Sequence, residues 1–405
     1  MRGGCPVRRE PHHGVVMVTG YEEAVQVLGD ERTFSSCISV TGPFSGLPTP
    51  PESDDVGDFI EDHRRSLPMN DQLPTMDPPH HTAHRGLLMR LITPKRLEEN
   101  QEFIERLADR LLDDVLARGE GDYITGFAAP FAMLVIADLL GVPESDHQEF
   151  IEGLNIQVEK GFSLGSTEGT ALKLNPLEFL YKKFGEYVED RRANPTDDVL
   201  TGLATATFPD GTLPPVEDVL RIAANVFSAG QETTVRLLSS ALRLIAERPD
   251  IQKALRSEPE RIPNFVEETL RFESPIKGDF RLAKTPTTVG GVDVPAGSIV
   301  MLVNGAANRD PRQFADPNEF DLERRNARTH IAFGRGVHSC PGAPLARTEA
   351  HVGIRRLLER TENIRLSEKV HGPEGDRTFG YLPTFILRGL LALHLEYTPV
   401  EGGAK

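Results

Sequence analysis

Apolar side chains recur every three or four residues along much of the chain, and this spacing predicts amphipathic helices. The longest predicted helix covers residues 216–248. The other predicted helices cover residues 21–30, 96–118, 126–140, 144–162, 177–193, 259–272 and 344–360. The pattern therefore predicts a mainly helical protein.

Shorter apolar or alternating stretches, bounded by glycine and proline, predict strands. They cover residues 14–21, 287–303 and 383–398. No segment between the elements has the composition of an interdomain linker. We therefore expect a single domain over residues 1–405, with small sheets at one side of the helices.

The segment 39–79 interrupts this pattern with eight prolines, which predicts an irregular loop. A loop of this length inside a compact domain often serves as a lid or a binding loop. A disordered surface excursion is the alternative.

The formal charge of −16 argues against a nucleic-acid or anionic-membrane binder, since both partners need a basic surface. No apolar run reaches the roughly 18 residues of a membrane span, and the first residues lack the apolar core of a signal peptide. Three cysteines form neither a disulfide framework nor a CxxC pair. These features predict a soluble cytoplasmic protein without a membrane anchor.

One cysteine, Cys340, lies in the glycine-rich stretch HIAFGRGVHSCPGAPLA at residues 330–346. A thiolate can ligate a metal or act as a nucleophile, and the amides of Gly342 and Ala343 could stabilise its charge. Zinc would need three or four ligands, and this stretch offers only His338 and Cys340. A single thiolate suits haem iron better. A buried structural cysteine is the alternative.

A second unusual stretch, FSAGQETTVRLL, lies in the middle of the longest predicted helix. Gly230 is unfavourable in a helix interior, and Thr233 and Thr234 can bond back to carbonyls one turn earlier. The stretch is therefore either a functional groove or a place where two helices pack closely.

Two more stretches carry charged or metal-binding residue types. In EETLR, Glu268 and Arg271 share a helix face and can pair, as many surface residues do. In MDPPHHTAHRGLLMR, His80 and His84 have the i, i+4 spacing of metal ligands, but the acidic residue of a zincin helix is absent between them.

Taken together, these stretches resemble the cytochrome P-450 family of haem-thiolate monooxygenases. The resemblance rests on the order Phe333, Gly334, Gly336, His338, Cys340, Gly342 and Ala346 and extends over nearly the whole chain. It implies the cytochrome P-450 fold, mainly α with about a dozen helices, and haem b between the long central helix and the helix after the cysteine. Family members usually carry a further N-terminal helix, so we expect that helix to be missing or truncated here.

The resemblance also implies roles for individual residues. Cys340 would be the axial ligand of the haem iron. Thr233 and Glu232 would deliver protons, and Ala229 and Gly230 would leave room for dioxygen. The other implied site residues are Phe333, Gly334 and Gly342 against the haem, His81, Arg85, Arg281 and His338 at its propionates, and the buried triad Glu268, Arg271 and Arg324.

The substrate pocket implied by the resemblance is mostly apolar. We expect it to be lined by the 39–79 loop, residues 158–164, Val226, Ala229, Ile276, Gly278, Phe385 and Ile386. Lys277 and Asp279 are expected to pair with each other or with a propionate, and the alternative is that they bind a polar group of the substrate.

The resemblance implies a bacterial-type monomeric enzyme that inserts one oxygen atom of O2 into a hydrophobic small molecule such as a terpenoid, steroid or fatty acid. A ferredoxin, reduced by a ferredoxin reductase, would supply two electrons and dock near Arg335. One alternative is a haem protein of the same fold that binds or senses a ligand without catalysis. Another is a zinc hydrolase that uses His80 and His84.

Overall fold

The computed structural model describes residues 5–90, 92–152 and 178–400. Helices make up most of this part of the chain, and within it no helix has the length and apolar character needed to cross a bilayer. The helices are α1 (Tyr21–Gly29), α2 (Gly57–Arg64), α3 (His80–Leu88), α4 (Pro94–Arg118), α5 (Ala129–Leu139), α6 (Glu178–Ala193), α7 (Val199–Ala204), α8 (Val216–Glu247), α9 (Pro249–Ser257), α10 (Ile262–Phe272), α11 (Asn304–Ala307), α12 (Ala343–Arg360) and α13 (Glu368–His371).

Helix α8 is the longest helix and runs through the centre of the main core. More than half of its residues are buried, and it packs against α5, α6 and α12. Its neighbour α5 is apolar on nearly every side, as expected for a helix enclosed by others. The residues that α8 carries at its middle are therefore held by protein on several sides.

The strands are short and form small sheets beside the helices. They are β1 (Val7–Arg9), β2 (Val16–Val18), β3 (Phe34–Ser35), β4 (Glu120–Asp122), β5 (Asp279–Ala283), β6 (Thr287–Val289), β7 (Val292–Val294), β8 (Ile299–Leu302), β9 (Thr361–Leu366) and β10 (His394–Pro399). The largest sheet has the order β1-β2-β8-β5-β3, and all its pairs are antiparallel except β2 with β8.

Most predicted elements are present, with shorter bounds. The strand-like stretch 287–303 is three strands, with turns where its glycines indicate them: Gly290 and Gly291 turn the chain between β6 and β7, and Gly297 turns it before β8. In the region 383–398, regular pairing begins only at His394. The prediction of a helix over 144–162 lies partly outside the described residues, as does the predicted pocket segment 158–164.

The segment 39–79 is less irregular than predicted. It contains α2, with Ile60 buried, although prolines precede and follow this helix. Arg64 near the end of α2 donates a hydrogen bond to Asp77 at 2.7 Å and another to the Thr75 carbonyl at 2.9 Å. The segment is therefore tied to the start of α3 by a mostly buried ion pair rather than only by backbone turns.

Candidate haem site

The cysteine loop joins the strand region to α12 and is shaped by glycines. The Cys340 amide donates to the Phe333 carbonyl at 2.8 Å, which closes the loop. Gly334 and Gly336 have φ of +66° and +68°, the left-handed region that favours glycine. A Cβ at Gly336 would lie 2.5 Å from the carbonyl oxygen of Leu28 in α1, so no other residue fits there without movement.

The environment of Cys340 combines exposure with desolvation. The residue is exposed, yet desolvation by the surrounding protein raises the pKa of its thiol. The backbone N–H groups of Gly342 and Ala343 bond to the sulfur and oppose this rise, as the turn predicted. Arg85 and Arg347 add positive charge nearby. The loop thus supplies donors that favour a thiolate as a ligand.

A buried ion network lies beside the loop, and sequence reasoning missed it. Glu267 bonds to Arg347 of α12 at 2.5 Å and to His330 at 3.1 Å. Burial alone would raise the pKa of Glu267, but these two partners lower it to about 2. Arg347 also lies over the ring of Phe333, 4.7 Å from its centre. The network fixes α10, the cysteine loop and α12 relative to one another.

The predicted triad is assembled in the core. Arg271 binds Glu268 through two hydrogen bonds of 2.7 Å, and both side chains are fully buried. Arg324 contacts both carboxylate oxygens of Glu268 at 3.1 Å. The Arg271 guanidinium also donates to backbone carbonyls, including those of Asn308 and Pro317. A buried charge cluster is tolerated when it is hydrogen-bonded in this way.

The four residues predicted to bind propionates converge on one side of the cysteine loop. The rings of His81 and His338 lie 4.1 Å apart. Arg85 donates to the Ser339 carbonyl at 2.7 Å. Burial, with the positive charges of Arg281, His81 and Arg85, lowers the pKa of His338 to about 2. Burial likewise lowers the pKa of His81 to about 4. The structure thus gathers cationic and donor groups that repel one another.

Asp279 does not pair with Lys277, which was one of the two kinds of partner expected for it. It binds Arg281 at 2.9 Å, and both residues lie on β5 and on the same face of the sheet, whereas Lys277 precedes the strand. Lys277 forms no ion pair within the described residues, and burial together with Arg388 lowers its pKa. Arg281 therefore already has one carboxylate partner on its own strand.

The middle of α8 carries the predicted groove residues. Ala229 is exposed although it lies in the centre of a largely buried helix. The Thr233 hydroxyl donates to the Ala229 carbonyl at 2.8 Å, the back-bond that the sequence predicted. A Cβ at Gly230 would lie 3.3 Å from Ile136 of α5. Gly230 therefore lets two helices pack closely, which is the helix-packing alternative for this residue, and room for dioxygen at Ala229 stays a prediction.

The predicted pocket residues fall into two groups. Ile276, Phe385 and Ile386 pack in one apolar cluster beside β5 and β8, and the Ile386 carbonyl accepts from the amide of Gly278 at 3.3 Å. A residue larger than glycine would not fit at position 278 without movement, because its Cβ would lie 2.9 Å from the Met301 side chain. Val226 and Ala229 belong to α8 instead. Val226 is almost fully buried, and Ala229 is exposed.

The histidines of the zinc alternative do not form a metal site. His84 Nδ1 lies 2.9 Å from the His80 carbonyl oxygen, and its Nε2 lies 3.5 Å from Asp218. In the part of the chain that the structure describes, no three His, Cys, Asp or Glu side chains form a group that could hold a metal ion. The arrangement lacks the third ligand that a zinc site requires.

Glu349 of α12 is a second buried group that the sequence did not reveal. It is almost fully buried against α8, and burial raises its pKa well above the ordinary range. A hydrogen bond with the Thr234 side chain opposes this rise only in part. Its Oε2 has no partner within the described residues. The sequence around Glu349 contains no motif or spacing that distinguishes this glutamate from one at the surface.

Comparison with known proteins identifies the family. Residues 178–373 match the family model described as Cytochrome P450. The chain is 33% identical over 410 residues to Cytochrome P450 144 of Mycobacterium tuberculosis, covering 98% of this chain and 87% of that protein. It is 35% identical over 350 residues to 6-deoxyerythronolide B hydroxylase of Saccharopolyspora erythraea, covering 86% and 83%. The chain therefore belongs to the cytochrome P450 family and is a monooxygenase of this bacterial group.

A solved structure agrees with this assignment. Substrate-free cytochrome P450 CYP150A6 of Mycobacterium marinum is 53% identical, with a TM-score of 0.91. The match covers 98% of this chain and 93% of that chain. The predicted family and fold are thus confirmed.

The residues present fit the haem that the family implies. A lone cysteine with two amide donors at its sulfur is a donor set for haem iron rather than for zinc. Nδ1 of the buried His81 has no hydrogen-bond partner among the described residues. His81, Arg85, Arg281 and His338 are donors or cations that a pair of propionates would satisfy.

Proposed function

We propose that Cys340 is the thiolate ligand of haem b and that the protein inserts one oxygen atom of O2 into a hydrophobic small molecule. The observation that carries this proposal is the Cys340 sulfur, which accepts from the backbone amides of Gly342 and Ala343 in an exposed residue of the cysteine loop. Packing of α8 against α3 and α12 supports a cofactor position between the central helix and the cysteine loop.

Several residues of the chain would hold the cofactor. His81, Arg85, Arg281 and His338 would bind its propionates, while Phe333, Gly334 and Gly342 would lie against its face on the cysteine side. The Arg347 guanidinium over Phe333 and the Glu267 ion pair keep this side rigid. When bound, a haem with a thiolate ligand supplies the activation of dioxygen, and the thiolate promotes O–O cleavage.

The residues of α8 would supply protons from solvent. Thr233 has a hydroxyl that already bonds to the Ala229 carbonyl, and this bond leaves the hydroxyl oxygen able to accept from water. Glu232, one residue earlier, carries a carboxylate that can take protons from solvent and pass them on. The exposed backbone at Ala229 supports access by small molecules to this point of the helix.

An apolar substrate of the terpenoid, steroid or fatty-acid type fits the residues proposed for the pocket. Phe385 contacts Phe44 and Phe280 at ring distances of 5.6 and 5.7 Å, so this wall is aromatic. Pockets for small molecules are mostly apolar with few polar groups. The relative named 6-deoxyerythronolide B hydroxylase supports hydroxylation as the reaction.

A ferredoxin and its reductase would deliver the electrons to a monomer in the cytoplasm. All three cysteines are free, which agrees with a reducing compartment. Arg335 lies exposed on the cysteine loop, with its Nη2 bound to the Tyr21 hydroxyl at 2.9 Å. This bond keeps a positive charge at the surface, where a negatively charged ferredoxin would dock. Arg335→Glu should therefore slow reduction by ferredoxin but leave dithionite reduction unchanged.

Oxygen isotope labelling tests the proposed reaction. The purified protein, ferredoxin, reductase and NADPH are incubated under ¹⁸O2 with testosterone, lauric acid and a cyclic terpene as probes. We expect a product that carries one ¹⁸O atom from at least one probe. Products that contain no ¹⁸O from the labelled O2 would contradict the proposal. It would also be contradicted if the haem-loaded protein oxidises none of these probes and none of a wider hydrophobic panel.

A further inference from the structure

Arg236 of α8 lies one helical turn after Glu232 and binds its carboxylate. The distance from Arg236 Nη2 to Glu232 Oε1 is 2.8 Å. Only 12% of the Arg236 side chain and 19% of the Glu232 side chain are exposed. The contact therefore differs from the solvent-exposed helix pairs that contribute only a few tenths of a kcal/mol.

The path of the Arg236 side chain depends on Gly389, which lies far away in the sequence. A Cβ at Gly389 would lie 2.1 Å from Cδ and 2.5 Å from Nε of Arg236. These distances exclude any side chain at residue 389 while Arg236 keeps this conformation. Gly389 belongs to the hairpin-like segment 381–390, in which the Leu382 amide donates to the Gly389 carbonyl at 3.0 Å.

Burial of the Arg236 guanidinium in this position is unfavourable in free energy. Arg236 Nε is buried and has no hydrogen-bond partner among the residues that the structure describes. A buried unsatisfied donor costs about 1–3 kcal/mol. Within the described residues, the ion pair with Glu232 is the contact that the structure gives this guanidinium, so the arrangement places a cation beside one carboxylate.

We propose that Arg236 is a positioning residue for Glu232 and that Gly389 fixes the position of Arg236. The proposal rests on the proposed function, in which Glu232 passes protons towards Thr233. Arg236 holds the Glu232 carboxylate on the flank of α8, one residue before the Thr233 hydroxyl. Its guanidinium holds the carboxylate through a charge-assisted hydrogen bond.

The proposal also links proton delivery to the substrate side of the molecule. Segment 381–390 carries Phe385 and Ile386, which we assign to the pocket wall. Because Gly389 closely contacts Arg236, a shift of this segment on substrate binding would move the guanidinium relative to Glu232. The contact thus gives the pocket wall a direct mechanical connection to the acid that delivers protons.

The test compares variants of the haem-loaded protein. Arg236→Met removes the cation, Arg236→Lys keeps it, and Gly389→Ala displaces it without changing any charge. Arg243→Met is the control, since Arg243 lies on the same helix with a similar side-chain exposure of 14% and pairs with other glutamates, Glu247 at 3.5 Å and Glu273 at 3.1 Å. NADPH-dependent O2 consumption is measured between pH 5 and pH 9 in H2O and in D2O, with surrogate ferredoxin and reductase.

We expect Arg236→Met to lower the rate about tenfold, within the range that misplacing a catalytic group costs. Its pH profile should differ from that of the unmodified protein, because the Glu232 carboxylate loses the side chain that holds it in place. The solvent isotope effect should rise. Arg236→Lys should restore most of the rate, Gly389→Ala should resemble Arg236→Met, and Arg243→Met should keep the profile of the unmodified protein.

A second readout does not depend on activity. Infrared difference spectra between each variant and its Glu232→Gln counterpart isolate the Glu232 carboxylate. The carboxylate stretching bands of Glu232 should shift in Arg236→Met and in Gly389→Ala, because the carboxylate loses the hydrogen bond from Arg236. Unchanged bands in both variants would overturn the proposal.

Two further variants separate failure of this proposal from failure of the proposed function. If Thr233→Ala and Glu232→Gln change the pH profile while Arg236→Met does not, the role of Arg236 is wrong and the proton route stands. If Thr233→Ala and Glu232→Gln also leave the profile unchanged, the proton route itself is wrong. Equal effects of Arg236→Met and Arg243→Met, with equal losses of thermal stability, would reduce Arg236 to a structural role.

Discussion

Arg85 in α3 and Ser339, the residue before Cys340, are joined by a 2.7 Å hydrogen bond from the Arg85 Nη2 to the Ser339 carbonyl. This bond ties the helix proposed to bind the propionates to the loop that carries the proposed iron ligand. Burial lowers the pKa of Arg85, and the negative charge of a Cys340 thiolate counteracts this effect. The guanidinium therefore contributes both to loop geometry and to the charge around the sulfur.

Replacement of Arg85 should weaken cofactor retention. Arg85→Ala removes the bond to the loop and one proposed propionate partner, so haem transfer to apomyoglobin should become about tenfold faster, the effect of about 1.4 kcal/mol. The transfer rate of Arg85→Lys should lie between those of the unmodified protein and Arg85→Ala, because an ammonium lacks the planar fork of a guanidinium. Arg90→Ala, at an exposed residue just beyond α3, is the control. Equal transfer rates for all four proteins would contradict this role.

A methyl group at Gly336 should disturb the cysteine loop more than backbone strain alone. Gly336 and Gly14 share a φ of +68°, but a Cβ at Gly14 would meet no described atom within 4 Å, whereas at Gly336 it would clash with the Leu28 carbonyl. Gly14→Ala should cost about 1–2 kcal/mol. Gly336→Ala should cost a further 1–3 kcal/mol or so, as overpacking does.

Urea unfolding of the two variants measures the difference. Haem content on purification should also fall in Gly336→Ala and remain normal in Gly14→Ala. Equal losses of stability in both variants would show that the contact between the cysteine loop and α1 does not contribute to the free energy of unfolding.

The buried triad should be far more sensitive to substitution than an exposed pair of similar chemistry. Arg271→Met leaves the fully buried Glu268 carboxylate without its bidentate partner and should cost about 3–5 kcal/mol. The control is Arg106→Met, since Arg106 pairs with Glu102 on the surface with 61% of its side chain exposed. This variant should lose less than about 1 kcal/mol. Chemical unfolding measures both values, and similar losses would contradict the structural role of the triad.

Glu349 should make stability depend on pH in a characteristic direction. Its folded pKa lies well above the ordinary value of 4.5, so the folded protein retains a proton that the unfolded chain loses. Stability of the unmodified protein should therefore fall as pH rises above about 4.5, by at most about 1.4 kcal/mol per pH unit from this group.

Glu349→Gln removes this contribution, because the amide is neutral at every pH. The variant should gain stability relative to the unmodified protein between pH 5 and pH 8, as measured by thermal or urea unfolding at each pH. A constant difference between the two proteins across this range would show that Glu349 ionises normally in the folded state.

Motifs with fixed spacing could be predicted from the sequence, because local geometry determines them. Glu268 and Arg271 share a face of α10 by helix periodicity, and the Thr233 back-bond to Ala229 is a property of one helical turn. The glycines around Cys340 indicated a tight loop, and two of them have positive φ. The family resemblance then supplied the expected fold, which the comparisons confirmed.

Contacts between distant segments could not be predicted. Nothing in the local sequence indicates that Gly389 admits Arg236, or that Glu267 binds Arg347 and His330. The sequence also does not indicate which cation Asp279 binds, because Lys277 and Arg281 both lie two residues from it and only Arg281 belongs to β5. Helix α2 was missed because the surrounding prolines dominated the interpretation of its segment.

The most direct test of the account is the spectrum of the reduced, carbon-monoxide-bound protein in its unmodified form and in two cysteine variants. We predict the strongly red-shifted Soret band of a thiolate-ligated haem for the unmodified protein and for Cys37→Ser. Cys37 is also buried, but its pKa is raised to about 11 and it lies outside the cysteine loop. Cys340→Ser should lose this band while it still takes up haem. A red-shifted band that persists in Cys340→Ser, or that is absent from the haem-loaded unmodified protein, would contradict the assignment of Cys340 as the iron ligand.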